Sequence, residues 1–164
     1  MRKPRPPSQA LLDKYRGRDF QPLYAASVTV RGGEAGHGRA SGVAMSDDGE
    51  LAVELRLPVE LGGAGGGTNP EQLFAASYAA CFHGALALLA ERAGIAVADA
   101  SVTVTIAFGR DPVDGLFALR ADVNIHLPGV DQAVAAALVR DTERLCPYAK
   151  MAQGGIDSVV ALTQ

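Results

Sequence analysis

Apolar and polar positions alternate along some stretches of this chain and recur at helical spacing along others, and the two patterns fall in separate blocks. In Leu51-Ala52-Val53-Glu54-Leu55-Arg56-Leu57 the large apolar side chains take every second position, as a strand with one face on a core requires. Asp47-Asp48-Gly49 supplies the turn before it. Leu23 to Val30 is β-prone, Gly32-Gly33 punctuates it, and Arg39 to Ala44 is a candidate second strand. Together these segments predict a half-buried antiparallel meander. Ser101 to Phe108 alternates again, with Val102, Val104, Ile106 and Phe108 on one face and Thr103 and Thr105 on the other. Phe117 to Leu127 repeats that pattern, and Asp111-Pro112 and Asp114-Gly115 between the two predict a hairpin. A last strand is expected over Ile156 to Leu162.

Helical signals lie between and after these strands. Asn69 fits an N-cap and Pro70 a first helical residue, and the apolar stretch runs on to Ala93 before Gly94 offers a stop. A long, largely buried helix is expected there. Asp131 opens a second helix with Val134, Leu138, Val139 and Leu145 on its apolar side. Pro147 has no N–H to donate and restricts the residue before it, so Cys146 belongs at or just past that helix's end. Strands and helices come in blocks, not in strict alternation, which predicts an α+β fold with antiparallel pairing. Residues 1–22 are rich in Pro, Arg and Lys and read as an extended or poorly ordered arm, with one domain over 23–164.

Composition narrows the function classes. A chain of 164 residues can bury a core without disulfide or metal staples. Its net charge of −3, with both signs scattered, offers no basic stripe for nucleic acid and no polybasic patch for a membrane. No unbroken apolar run approaches the roughly 20 residues of a membrane helix. The basic start, Met1-Arg2-Lys3-Pro4-Arg5-Pro6-Pro7, lacks an apolar h-region, so a cytoplasmic protein is expected. The run Gly62-Gly63-Ala64-Gly65-Gly66-Gly67 suits tight turns or close approach, but without a following Gly-Lys-Ser/Thr it is no phosphate loop.

Two cysteines remain as candidate chemistry, and in a reducing compartment such a pair is more often catalytic, redox-active or simply buried than a permanent bridge. Cys81 lies inside the long helix, where a lone cysteine ordinarily acts as a small hydrophobe. Cys146 sits at a helix terminus beside Pro147 and Tyr148, a place suited to forming and breaking a disulfide. His83 is two residues from Cys81 and points to another side of the helix, which argues against a hydrolase dyad. His37 among glycines and His126 on the polar face of a strand read as solvent-facing. A zinc site from Cys81, His83 and Cys146 lacks paired ligand spacing, so no metal is expected. A nucleophilic thiol must ionise, and its free pKa near 8.5 calls for a nearby cation. Arg39 could supply it, with Glu71 gripping the guanidinium fork. Spacing alone favours plainer readings, an exposed strand arginine and a first-turn acid placed by the helix dipole.

The stretch from Gly62 through Thr68-Asn69-Pro70-Glu71-Gln72-Leu73-Phe74-Ala75-Ala76 into Tyr78-Ala79-Ala80-Cys81-Phe82-His83-Gly84-Ala85-Leu86 closely resembles the organic hydroperoxide resistance (Ohr) family of the OsmC-like superfamily. Leu23-Tyr24, Gly38-Arg39-Ala40, Cys146-Pro147-Tyr148 and Gly155-Ile156-Asp157 agree in order, so the likeness spans about residue 23 to the end. It implies an OsmC-like fold: an intertwined homodimer, antiparallel sheets wrapped around two central helices, active sites at the subunit interface. It also implies reduction of alkyl and fatty-acid hydroperoxides to alcohols, with no bound cofactor and with electrons from dihydrolipoyl groups on a partner protein. By motif, Cys81 becomes the peroxidatic cysteine, Cys146 the resolving one, Arg39 the thiolate-activating cation and Glu71 the carboxylate that orients it. Two features depart from the family: a longer arm before Leu23, and Ala149-Lys150-Met151-Ala152-Gln153 in place of a Ser-Asn-containing continuation.

One straight helix puts about 15 Å of rise between Glu71 and Cys81, so either the helix breaks between them or Arg39 and Glu71 reach Cys81 across a dimer interface. Phe74, Tyr78 and Phe82 beside the motif fit a lipophilic substrate, and equally ordinary core packing. Two other readings stand beside the peroxidase: an enzyme of the osmotically inducible branch with a different peroxide preference, and a non-catalytic lipid- or acyl-binding dimer.

Overall fold

The computed structural model describes residues 14–34, 36 and 39–163. The first thirteen residues of the expected arm and His37 lie outside that set. Lys14 to Ser27 carry no helix or strand and are exposed, so the β-prone Leu23 to Ser27 forms no strand.

Three strands, β1 (Val28–Arg31), β2 (Gly42–Ser46) and β3 (Ala52–Leu55), pair antiparallel in that order. Val28 faces Ser46 and Gly42 faces Leu55, which is the expected meander in shorter strands. Alternation in β3 points Val53 and Leu55 inward. β1 is exposed on both faces, with none of the described residues covering the outer side of this sheet; here the half-buried expectation fails. Helix α1 (Pro70–Arg92) follows, then β4 (Ser101–Arg110) and β5 (Phe117–His126), a ten-pair antiparallel hairpin from Ser101↔His126 to Arg110↔Phe117. Next come α2 (Gln132–Leu145) and α3 (Pro147–Gly154). Asn69 caps α1 by accepting from the Gln72 N–H at 2.9 Å, and Asp131 caps α2 through the N–H groups of Ala133 and Val134.

The core runs along α1. Tyr78, Phe82, Leu86 and Ala90 recur every fourth residue and form one buried stripe. Its first half meets Cys146 and Ala149, with Val104 and Val123 of the hairpin packed beside them, and its second half meets Leu138 of α2. Leu86 is 0% exposed, so Leu86→Ala should cost about 2–5 kcal/mol of stability, read as a fall in the urea midpoint with an unchanged slope.

Three expectations need correction. Only one stripe of α1 is covered, so the helix is not largely buried: it is apolar on most sides, and periodicity could not say which side a single chain would cover. By length and composition α1 is also apolar enough to cross a membrane. Ser77, Tyr78 and His83 interrupt its apolar run without making the helix polar as a whole, so no unbroken run marks it in the sequence. Core helices share this length and composition, and the buried stripe of α1 packs inside this domain. Finally, Ile156 to Leu162 forms no strand; it pairs with no edge among the described residues, and Val160 is 96% exposed.

Candidate active site

The glycine run sets where α1 begins. Gly62, Gly65 and Gly66 have positive φ, and a Cβ on Gly63 would stand 2.0 Å from the Leu57 carbonyl oxygen, so this loop folds back against β3 only without side chains. Arg56 N–H donates to the Thr68 carbonyl and Thr68 N–H to the Glu54 carbonyl, each at 2.9 Å, tying the start of α1 to the end of β3. Glu71, in the first turn, is thereby brought to the loop that precedes β2, where Arg39 lies.

Arg39 Nη2 donates to Glu71 Oε1 at 2.6 Å, with the two side chains only 22% and 18% exposed. Arg39 is thus not the exposed strand arginine of the plainer reading, whereas Glu71 is the first-turn acid expected and grips the guanidinium as well. The guanidinium carbon also stands 3.8 Å from the centroid of the Phe108 ring. Sequence reasoning had set Phe108 on the apolar face of its strand and given it no further part.

Cys81 lies partly buried on α1 beside Tyr78, Phe82, Cys146 and Ala149. Cys146 is 0% exposed and occupies the corner between two helices, capping the end of α2 and the start of α3. Its N–H donates to the Thr142 carbonyl at 2.8 Å and its carbonyl accepts from Lys150 N–H at 3.2 Å. The sequence places Cys146 at the helix end correctly, but reads Pro147 only as a stop, whereas Pro147 also starts α3. Both cysteines are free thiols, and Cys81 packs against the core cluster that holds Cys146. The Cys81 thiol is pushed up to about 11, first by burial, then by the neighbouring Cys146 thiol and the charge it bears when ionised; the polar backbone of Tyr148 opposes this. No cation among the described residues is one of these influences. Burial, followed by the charges of Cys146 and Glu143, raises the Tyr78 phenol as well. Tyr78 stacks on Tyr148 at 6.2 Å and packs against Phe74 at 6.3 Å, giving the thiol pair an aromatic surround.

The four candidate residues thus form two pairs, Arg39 with Glu71 and Cys81 with Cys146. α1 runs unbroken from Pro70 to Arg92, so the break proposed between Glu71 and Cys81 is excluded, and about 15 Å of helix rise separates the pairs within one chain. His83 and His126 are exposed.

Residues 63–160 match the model of the OsmC-like protein family. An organic hydroperoxide resistance protein of Xanthomonas axonopodis pv. citri is 40% identical over 142 residues, covering 85% of this chain and 94% of that protein. The crystal structure of an organic hydroperoxide resistance protein from Legionella pneumophila superposes with a TM-score of 0.72 at 39% identity, covering 84% of this chain and 95% of that one. OhrB of Bacillus subtilis superposes with a TM-score of 0.69 at 36% identity, over 83% of this chain and 96% of that one. Sequence and fold therefore agree that the chain belongs to the OsmC-like family and, within it, to the organic hydroperoxide resistance proteins.

Proposed function

We propose that this chain is a cysteine-based peroxidase that reduces organic hydroperoxides, alkyl and fatty-acid, to alcohols. The observation that carries the reading is the packing of Cys81 against the core cluster that holds Cys146: two free thiols in one cluster need little movement to become a disulfide. The Cys81 thiolate attacks the distal oxygen of the hydroperoxide, the O–O bond breaks, and the alkoxide takes a proton and leaves as the alcohol. Cys81 is then a sulfenic acid. The Cys146 thiol displaces its oxygen as water and closes the disulfide. An external dithiol, for which a dihydrolipoyl group on a partner protein is the natural candidate, reopens the bridge by exchange. No resident cofactor enters these steps. The reaction belongs in the cytoplasm, where such thiols are kept reduced.

A partly buried thiol near 11 is a poor nucleophile at neutral pH, so the reading needs a cation that the described residues do not supply to Cys81 of the same chain. We place Arg39 of a second copy there, aimed by its Glu71. The uncovered apolar side of α1 and the exposed Ile156, Val159, Val160 and Leu162 support a homodimer, since surfaces of this kind are ordinarily covered.

The test is rapid mixing of the reduced protein with cumene hydroperoxide and, separately, hydrogen peroxide. One alcohol should form for every two thiols lost, and the organic peroxide should react faster. A preference for hydrogen peroxide would favour the osmotically inducible branch. Thiol loss no faster than that of free cysteine, with fatty-acid binding intact in wild type and Cys81→Ser, would leave the acyl-binding dimer.

A further inference from the structure

Glu71 grips Arg39 at one edge, and the ring of Phe108 lies 3.8 Å from the guanidinium carbon, where it bears on the plane of the fork. That ring is itself held. Phe108 stacks on Phe117 at 4.9 Å and 23°, a diagonal pair on one face of the β4–β5 hairpin, where Phe108 faces Leu119 and Arg110 faces Phe117. The Arg110 guanidinium closes the far end, 4.6 Å from the Phe117 centroid. Cation, ring, ring and cation thus form one ladder across the strands, with Arg39 as its only member that also binds Glu71 among the described residues.

We infer that Phe108 is a positioning residue for the reaction, an aromatic shelf that sets the plane in which Arg39 presents its fork to the thiolate and the peroxide oxygens. The inference rests on the peroxidase reading above, in which Arg39 activates a thiol. Glu71 fixes direction in the plane and Phe108 fixes the plane, and a planar fork needs both to present its donors in one orientation. Phe108 is not among the residues packed around Cys81 and Cys146 of its own chain, and in this reading its effect passes through Arg39.

The test measures thiol loss to cumene hydroperoxide at neutral pH in the reduced full-length protein for wild type, Phe108→Leu, Phe108→Tyr, Arg39→Ala and the double variant Arg39→Ala/Phe108→Leu, with thermal midpoints taken alongside. Phe108→Leu should slow the reaction about tenfold, Phe108→Tyr should keep most of the rate, and Phe108→Leu should add nothing once Arg39 is gone. A wild-type rate in Phe108→Leu while Arg39→Ala is slow would overturn the shelf and leave the peroxidase reading standing. Equal slowing by Phe108→Leu with and without Arg39 would overturn it too, marking a packing effect. Should Arg39→Ala match wild type, the activation reading falls, and the shelf with it. If Phe108→Leu does not fold, replacement of Phe108 by 3,4,5-trifluorophenylalanine decides, because it keeps the shape and weakens the ring's negative face: slowing supports the shelf, an unchanged rate refutes it.

Discussion

Cys81→Ser should lose all hydroperoxide consumption above the uncatalysed background, while Cys146→Ser should still destroy about one equivalent of peroxide per subunit before stopping. A serine hydroxyl does not ionise near neutrality and forms no sulfenic acid, so the first variant loses the nucleophile itself. The second keeps the nucleophile and loses the thiol that resolves it. Its Cys81 should accumulate as a sulfenic acid that a dimedone-type reagent traps, adding the mass of one label to Cys81 alone. Turnover by Cys81→Ser at a rate near wild type would remove Cys81 from the chemistry, and continued turnover by Cys146→Ser with dihydrolipoamide would remove Cys146. Neither substitution should unfold the protein, since serine is close to isosteric with cysteine, although burial at Cys146 makes that site the more sensitive one.

Arg39→Ala should lower the rate at pH 7 and move the pH profile upward. The reactive form of Cys81 is deprotonated, burial disfavours that form, and within one chain the thiol stands at about 11. A guanidinium beside it favours the anion, so the wild-type profile should rise with a midpoint well under 9, in the range of activated cysteines. Removing the cation returns the midpoint toward 11. If the wild-type midpoint is near 7, the thiolate fraction at pH 7 falls by three to four powers of ten, and the greater nucleophilicity of the more basic thiolate restores roughly half of that on the logarithmic scale. A net loss of about 10²-fold at pH 7 is expected, shrinking as the pH is raised. Glu71→Gln should move the profile the same way by less. The measurement is the rate of alkylation of Cys81 by iodoacetamide against pH, and a profile that Arg39→Ala leaves in place would show that another group ionises the thiol.

Local signals carried the elements whose bonds are local. The Asn69 cap with Pro70 marked the start of α1, and strict alternation marked β4 and β5, because capping and pleating are decided within a few residues. Ile156 to Leu162 is rich in β-branched and apolar residues and still pairs with nothing among the described residues, since a strand exists only against an edge and a sequence does not say where an edge will be. The end of α2 at Cys146 was legible from Pro147, but the same proline begins α3, and a residue that suits both roles tells them apart only in three dimensions. The site divides along the same line. Cys146 stood out by its place at a helix end; Arg39 and Glu71, thirty-two positions apart, were joined only through the resemblance to a family, and the fold then put them in contact. Phe108 gave no signal, because a phenylalanine on the apolar face of a strand reads alike whether its ring meets a leucine or a guanidinium.

In the proposed cycle, the burial of Cys146 at the corner between two helices would make regeneration directional. A bridge between an enclosed sulfur and a more open one presents an incoming thiolate with a single face to strike. Reductant should therefore become covalently attached at Cys81 and eject Cys146, which returns to its enclosed position with nothing bound. Electrons would enter the protein through the same atom by which oxygen had entered it, so peroxide and reductant cannot be served at once and must take turns at one doorway.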